Sequence, residues 1–161
     1  MKVVYLYLKD RRPQTPAKGA FDSSIVVEAL KKVFPYCRRY RGVVHIADEY
    51  YYPVSMDDIE HVKDIASKHG IPVPSSRDYR SVVWDCDDYS FLWKGLFQLY
   101  GYMMNVNYCF GVVWVYSRVK FYGHALNFYV DCDGCFRFFE PQTLEVFSDR
   151  RDDWYLIEVK V

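Results

Sequence analysis

The chain has no excess of charge of either sign. Its 161 residues carry 21 Lys and Arg against 21 Asp and Glu, a formal net charge of zero. It therefore does not present the overall basic balance that marks a nucleic-acid or anionic-membrane binder, and neither partner is expected. No apolar run reaches the roughly 18 residues that suggest a membrane span. The opening "MKVVYLYLKDRRP" meets charge too soon for a secretory signal. The expectation is a soluble, unsecreted protein, cytoplasmic or host-intracellular. Five cysteines, an odd count, argue against a complete disulfide framework and leave at least one thiol free. Cys132 and Cys135 form a C-x-x-C, but the chain holds no second such pair and no H-x-x-x-H to complete a zinc site. Asp133-Gly134 between them is a hairpin turn signal. Repeats, low-complexity tracts and linkers are absent as well, so residues 1–161 are read as a single domain.

What the chain does have is aromatic side chains: 16 Tyr, 11 Phe and 4 Trp, or 19% of the residues. That composition favours strands and buried rings with polar tips, and it suits an extremophile or a viral protein. "KVVYLYL" alternates as a strand does. "DSSIVVEALKKVF" has Asp22 or Ser23 as its N-cap, helical spacing, and Pro35 as its stop. Residues 1–45 are thus read as a peripheral strand and helix. Ser55 and Asp58 form a capping box for a second helix, which Gly70 and Pro72 end. A third helix is predicted from about Cys86 to Tyr100, closed by Gly101, with Tyr89, Leu92, Trp93, Leu96 and Leu99 as its core stripe. From residue 104 the period becomes two, in "MNVNYCFGVVWVYS", "HALNFYVDC", "CFRFFEPQ" and "WYLIEVKV". Short connections predict antiparallel strands. The expected class is α+β, a cysteine helix packed on a C-terminal antiparallel sheet within residues 46–161.

One constellation carries chemistry. Cys86 opens a helix, His124 follows 38 residues later on a strand, and Glu140 sits 16 residues beyond on the return strand. A helix N-terminus and a nearby imidazolium are the two devices that lower a thiol pKa. A tight hairpin would pair Asp131 with Arg137 or thereabouts, so Glu140 reaches His124 only through an offset register or a bulge. Asp85, Asp87 and Asp88 crowd the thiol with negative charge, which a divalent cation would relieve. Period two puts Glu140 and Gln142 on one strand face, so both can point at those acids, and hard oxygen ligands suit calcium or manganese. The bland alternatives are a buried cysteine, a satisfied histidine and ordinary dipole partners.

Together "DCDDYSFLW", "GHALNFYV" and "FEPQT" resemble one branch of the papain/transglutaminase-like cysteine enzymes. That branch includes the cysteine-protease domain of a fungal chimerolectin, the Marasmius oreades agglutinin, with phage and microbial relatives. The likeness spans about residues 50 to 145, including a Tyr-Tyr-x-Pro-x-Ser run before the capped helix. It implies a papain-like core with Cys86 as nucleophile, His124 as general base and acid, and Glu140 as the residue orienting His124. It also implies a Ca2+ or Mn2+ site at Asp87, Asp88, Glu140 and Gln142. Asn127 belongs to the pattern but falls on the opposite strand face from His124. Galactoside recognition is not carried over, because the first 45 residues hold only a strand and a helix. Residues 76 to 84 contain no glutamine to serve as a second oxyanion donor. The expected function is a metal-activated cysteine hydrolase, a protease or amidase acting on a peptide or amide substrate through a thioester. The alternatives are transglutaminase-like acyl transfer, peptidoglycan amidase chemistry, or a non-catalytic cation-stabilised binding module.

Overall fold

The computed structural model describes residues 4–7, 18–34, 43–71, 85–150 and 152–161. Pro35, Pro72, Cys37, the loop leading to Lys18 and the stretch 76–84 lie outside them. Among the described residues nine strands and three helices follow one another: β1 (Val4–Tyr7), β2 (Phe21–Asp22), α1 (Ser23–Val33), β3 (Val43–Ile46), β4 (Tyr50–Tyr51), α2 (Met56–Lys68), α3 (Cys86–Met104), β5 (Phe110–Ser117), β6 (Tyr122–Val130), β7 (Phe136–Glu140), β8 (Glu145–Phe147) and β9 (Trp154–Lys160).

Seven of the strands form one mixed sheet in the order β1-β3-β9-β5-β6-β7-β8, and β2 pairs with β4 separately. This corrects the expected papain-like/transglutaminase-like core: the molecule is sheet-dominated, with helices packed on it. The C-terminal strands do pair antiparallel, but β3 enters the sheet parallel to β9 and carries β1 parallel on its far side. Local pattern cannot show parallel pairing, because its partners are far apart in sequence.

Alternation along β6 divides the interior into two cores. Leu126, Phe128 and Val130 join α1, β7 and Trp154 on one face. Tyr129 joins α2, α3, Phe110 and Phe139 on the other. Stacked rings at Phe97–Phe110 (3.8 Å) and Tyr100–Tyr108 (5.3 Å) fill this second core.

The helix caps follow the sequence. Asp22 accepts from Ser24 N at 2.7 Å to start α1, and Ser55 and Asp58 close the capping box of α2. However, α3 runs past Gly101 and ends at Asn105, whose left-handed φ of 54° closes it. Gly101 stays helical for a packing reason: a Cβ there would meet Val106 O at 2.6 Å. Of the expected stripe, Tyr89, Trp93 and Leu96 are buried, whereas Leu99 faces solvent. Among the described residues no helix is long and apolar enough to cross a membrane.

Candidate functional site at the start of the third helix

The first turn of α3 is held by its own acids. Asp85 is the N-cap and accepts from Asp87 N at 3.3 Å, while Asp88 Oδ2 accepts from Asp85 N at 3.2 Å. This capping box, with acids at the positive end of the helix dipole, explains why the sequence is helical from Cys86 onward. Cys86 Sγ then reaches the sheet and accepts from Ala125 N at 3.3 Å. Asn127, fully buried, ties the helix to the sheet by donating to Ser90 O at 2.8 Å and Gly111 O at 3.1 Å. Its role is structural, and it lies on the opposite strand face from His124, as alternation predicts.

The β6–β7 register places His124 and Glu140. Val130 pairs with Phe136 and Asn127 with Phe139, two residues tighter on the β7 side than a hairpin pairing Asp131 with Arg137. Asp131 causes the difference: its Oδ1 accepts from Asp133 N (3.0 Å) and Cys135 N (2.8 Å), holding residues 131–135 in one turn. Continued along the strands, this register puts Leu126 opposite Glu140 and leaves His124 on its diagonal. His124 Nε2 and Glu140 Oε2 are 2.8 Å apart, with side chains only 16% and 17% exposed. Burial opposes a charge on His124, but Cys86 and Glu140 outweigh it and raise the pKa from 6.5 to about 9. The protonated ring is thereby favoured. Cys86, His124 and Glu140 are thus brought together.

Of the four expected metal ligands, Asp87 belongs to a cluster that could hold a cation. Among the described residues, the Asp, Glu, His and Cys cluster that could hold a cation, its ligand atoms all within 4.8 Å of one another, is Asp85, Cys86 and Asp87. Only Asp87 is common to both. Asp88 is engaged in the cap. Glu140 is engaged by His124 through Oε2 and by Gln142 N through Oε1 at 3.3 Å. Gln142 Nε2 is buried without a hydrogen-bond partner. Asp85, beside Cys86 in the sequence, belongs to this cluster and not to the expected set. The Asp85 carboxyl is held below its ordinary range by a hydrogen bond from Asp87, and Asp87 is raised by that same bond, by burial and by the charge of Asp85. The two carboxyls therefore compete for a proton that a cation would displace.

No family model and no curated protein matches the chain. Ten solved chains do, two of them as follows. The Polyporus squamosus lectin bound to the human-type influenza-binding epitope Neu5Aca2-6Galb1-4GlcNAc matches with a TM-score of 0.66 at 20% identity, over 88% of this chain and 49% of that one. The fold is shared with a fungal lectin. The PSL1a-E64 complex matches with a TM-score of 0.66 at 19% identity, over 88% of this chain and 51% of that one. The chain spans about half the length of the solved chains it matches, and at such identities the likeness speaks for the fold.

The neighbours are described as a lectin and as the PSL1a-E64 complex, and the expected resemblance to the papain/transglutaminase-like cysteine enzymes is corrected to a fold shared with a lectin. The expected cysteine hydrolase or protease function, the enzyme assignment and the peptide or amide partner rested on that resemblance and lose its support.

Proposed function

We propose that this chain is a non-catalytic, cation-stabilised binding module whose ligand is a carbohydrate. The observation that carries the reading is the fold shared with the lectin over 88% of the chain. The Asp85–Cys86–Asp87 cluster supports the cation. Its two carboxylates are hard oxygen donors, which favours Ca2+ or Mn2+. In this reading Cys86, His124 and Glu140 form a fixed polar centre beside the ion, and Asp88, Glu140 and Gln142 are further oxygen donors acting through water.

The experiment is thermal melting with and without each ion, paired with retention on immobilised glycans. Binding to the folded state alone raises stability by about 2.7 kcal/mol at a hundredfold excess over the dissociation constant. The melting temperature is expected to rise with Ca2+ or Mn2+ and to stay flat in Asp87→Asn. An unchanged melting temperature with both ions overturns the cation reading, and a protein that no glycan retains overturns the carbohydrate reading.

A further inference from the structure

The third helix is apolar on the side that the sheet leaves open. Between Asp88 and Met103 its exposed positions are 88, 91, 95, 98, 99, 102 and 103, one continuous stripe at helical spacing. On it Phe91, Leu99, Tyr102 and Met103 are 46%, 54%, 85% and 65% exposed, and Asp88 at one end is its single charge. A helix that is apolar all round needs neighbours all round. Among the described residues, α2 and the sheet cover α3 on the opposite side, through Trp93, Leu96, Phe97 and Tyr100. Gly95 sits at the centre of the stripe. Glycine is the poorest helix former after proline, and among the described residues nothing lies within 4 Å of the place a Cβ would take there. Gly101 is required by the approach of Val106 O, whereas the fold of a single chain gives no reason for Gly95. A notch in a ridge of side chains is what lets a second helix come close.

We infer that this stripe is the surface by which two copies of the chain pair, with their α3 helices antiparallel and crossing at Gly95. A two-fold contact sets each residue against the one equally far from the axis in the other copy. Phe91 then meets Leu99 of the second copy beside the notch, and Tyr102 meets Asp88, whose carboxylate accepts from the phenol. Apolar faces apolar and the one charge faces a donor, so the surface is complementary to itself. At about 200 Å² for a full side chain, the exposed fractions of the four large residues amount to about 500 Å² per copy, which brings the pair to the roughly 1,000 Å² that a specific interface needs. The pairing also lays Tyr102 of each copy beside the helix start that carries the other's Asp85–Cys86–Asp87 cluster.

The test is sedimentation velocity on the full chain from about 1 to 300 µM, with Gly95→Ala and Gly95→Glu beside the parent. The parent is expected to pass from monomer to dimer across this range. Association is expected to weaken about tenfold in Gly95→Ala and about a hundredfold in Gly95→Glu, where two carboxylates meet at the axis. Both variants are expected to keep or raise the melting temperature at the lowest concentration, since alanine and glutamate are better helix formers than glycine and the position is open. That control separates a lost contact from a lost fold. A parent that stays monomeric throughout overturns the proposal and leaves the stripe to another partner. Association that Gly95→Glu leaves undiminished overturns it as well, as does assembly past the dimer, which a closed two-fold contact does not allow.

Discussion

At the Tyr122 end of β6 the polar groups are enclosed and answer one another, His124 to Glu140 and Cys86 to Ala125 N. At the Val130 end they stand at the surface, where Asp131 and Arg137 brace a turn and Asp133 is exposed at its tip. The enclosed groups have charge states set by the fold, so they report on stability and pH. The open groups stabilise little, since exposed charges are screened by water. One strand therefore presents two chemically distinct ends, and its middle must be rigid for both.

The largest expected effect comes from breaking that middle. A Cβ on Gly111 would run into the Phe128 ring and stand 2.5 Å from Lys160 O. Gly111→Ala is expected to cost about 3 kcal/mol or more, read by chemical denaturation, because backbone of β9 must shift to make room. A cost near zero would show that β5, β6 and β9 yield easily and that the two ends are not held by one scaffold.

Glu140→Gln sharpens the comparison with a smaller effect. The folded state holds the His124 proton more tightly than the unfolded chain, with a pKa of about 9 against 6.5. The stability this supplies is complete below pH 6.5 and is lost as the pH rises through about 9. Removing the Glu140 charge is expected to cost about 2 kcal/mol at pH 6, with the difference from the parent shrinking toward alkaline pH. A loss independent of pH would show that Glu140 acts through packing instead of charge.

Much of the fold was legible where the signal is local. Ser55 with Asp58, and Asp22 before α1, are side chains that satisfy orphan N–H groups of the adjacent turn, so their residue types disclose the helix starts. The strands β5, β6, β7 and β9 were visible in their alternation. Three features were not. The parallel pairing of β3 with β9 joins segments over a hundred residues apart. The strand β8 is three residues long, too short for a period to show. Gly101 resembles a helix stop but is required by the approach of Val106 O. At the candidate site the meeting of His124 with Glu140 was legible only as a possible offset, because the register depends on Asp131 gathering the turn. The cation cluster was half legible: Asp87 was named, whereas Asp85 was read as crowding and not as a ligand. Residue type locates a chemistry well, but which neighbours a carboxylate already serves is decided by the fold.

In the proposed function Cys86, His124 and Glu140 form a fixed polar centre beside a cation and no catalytic one. The most direct measurement is incubation of the full chain with an unfolded polypeptide and with small amide esters, in Ca2+, in Mn2+ and in chelator, following cleavage by mass spectrometry. No cleavage above the buffer rate is expected in any condition. Cation-dependent cleavage that Cys86→Ala abolishes would contradict it.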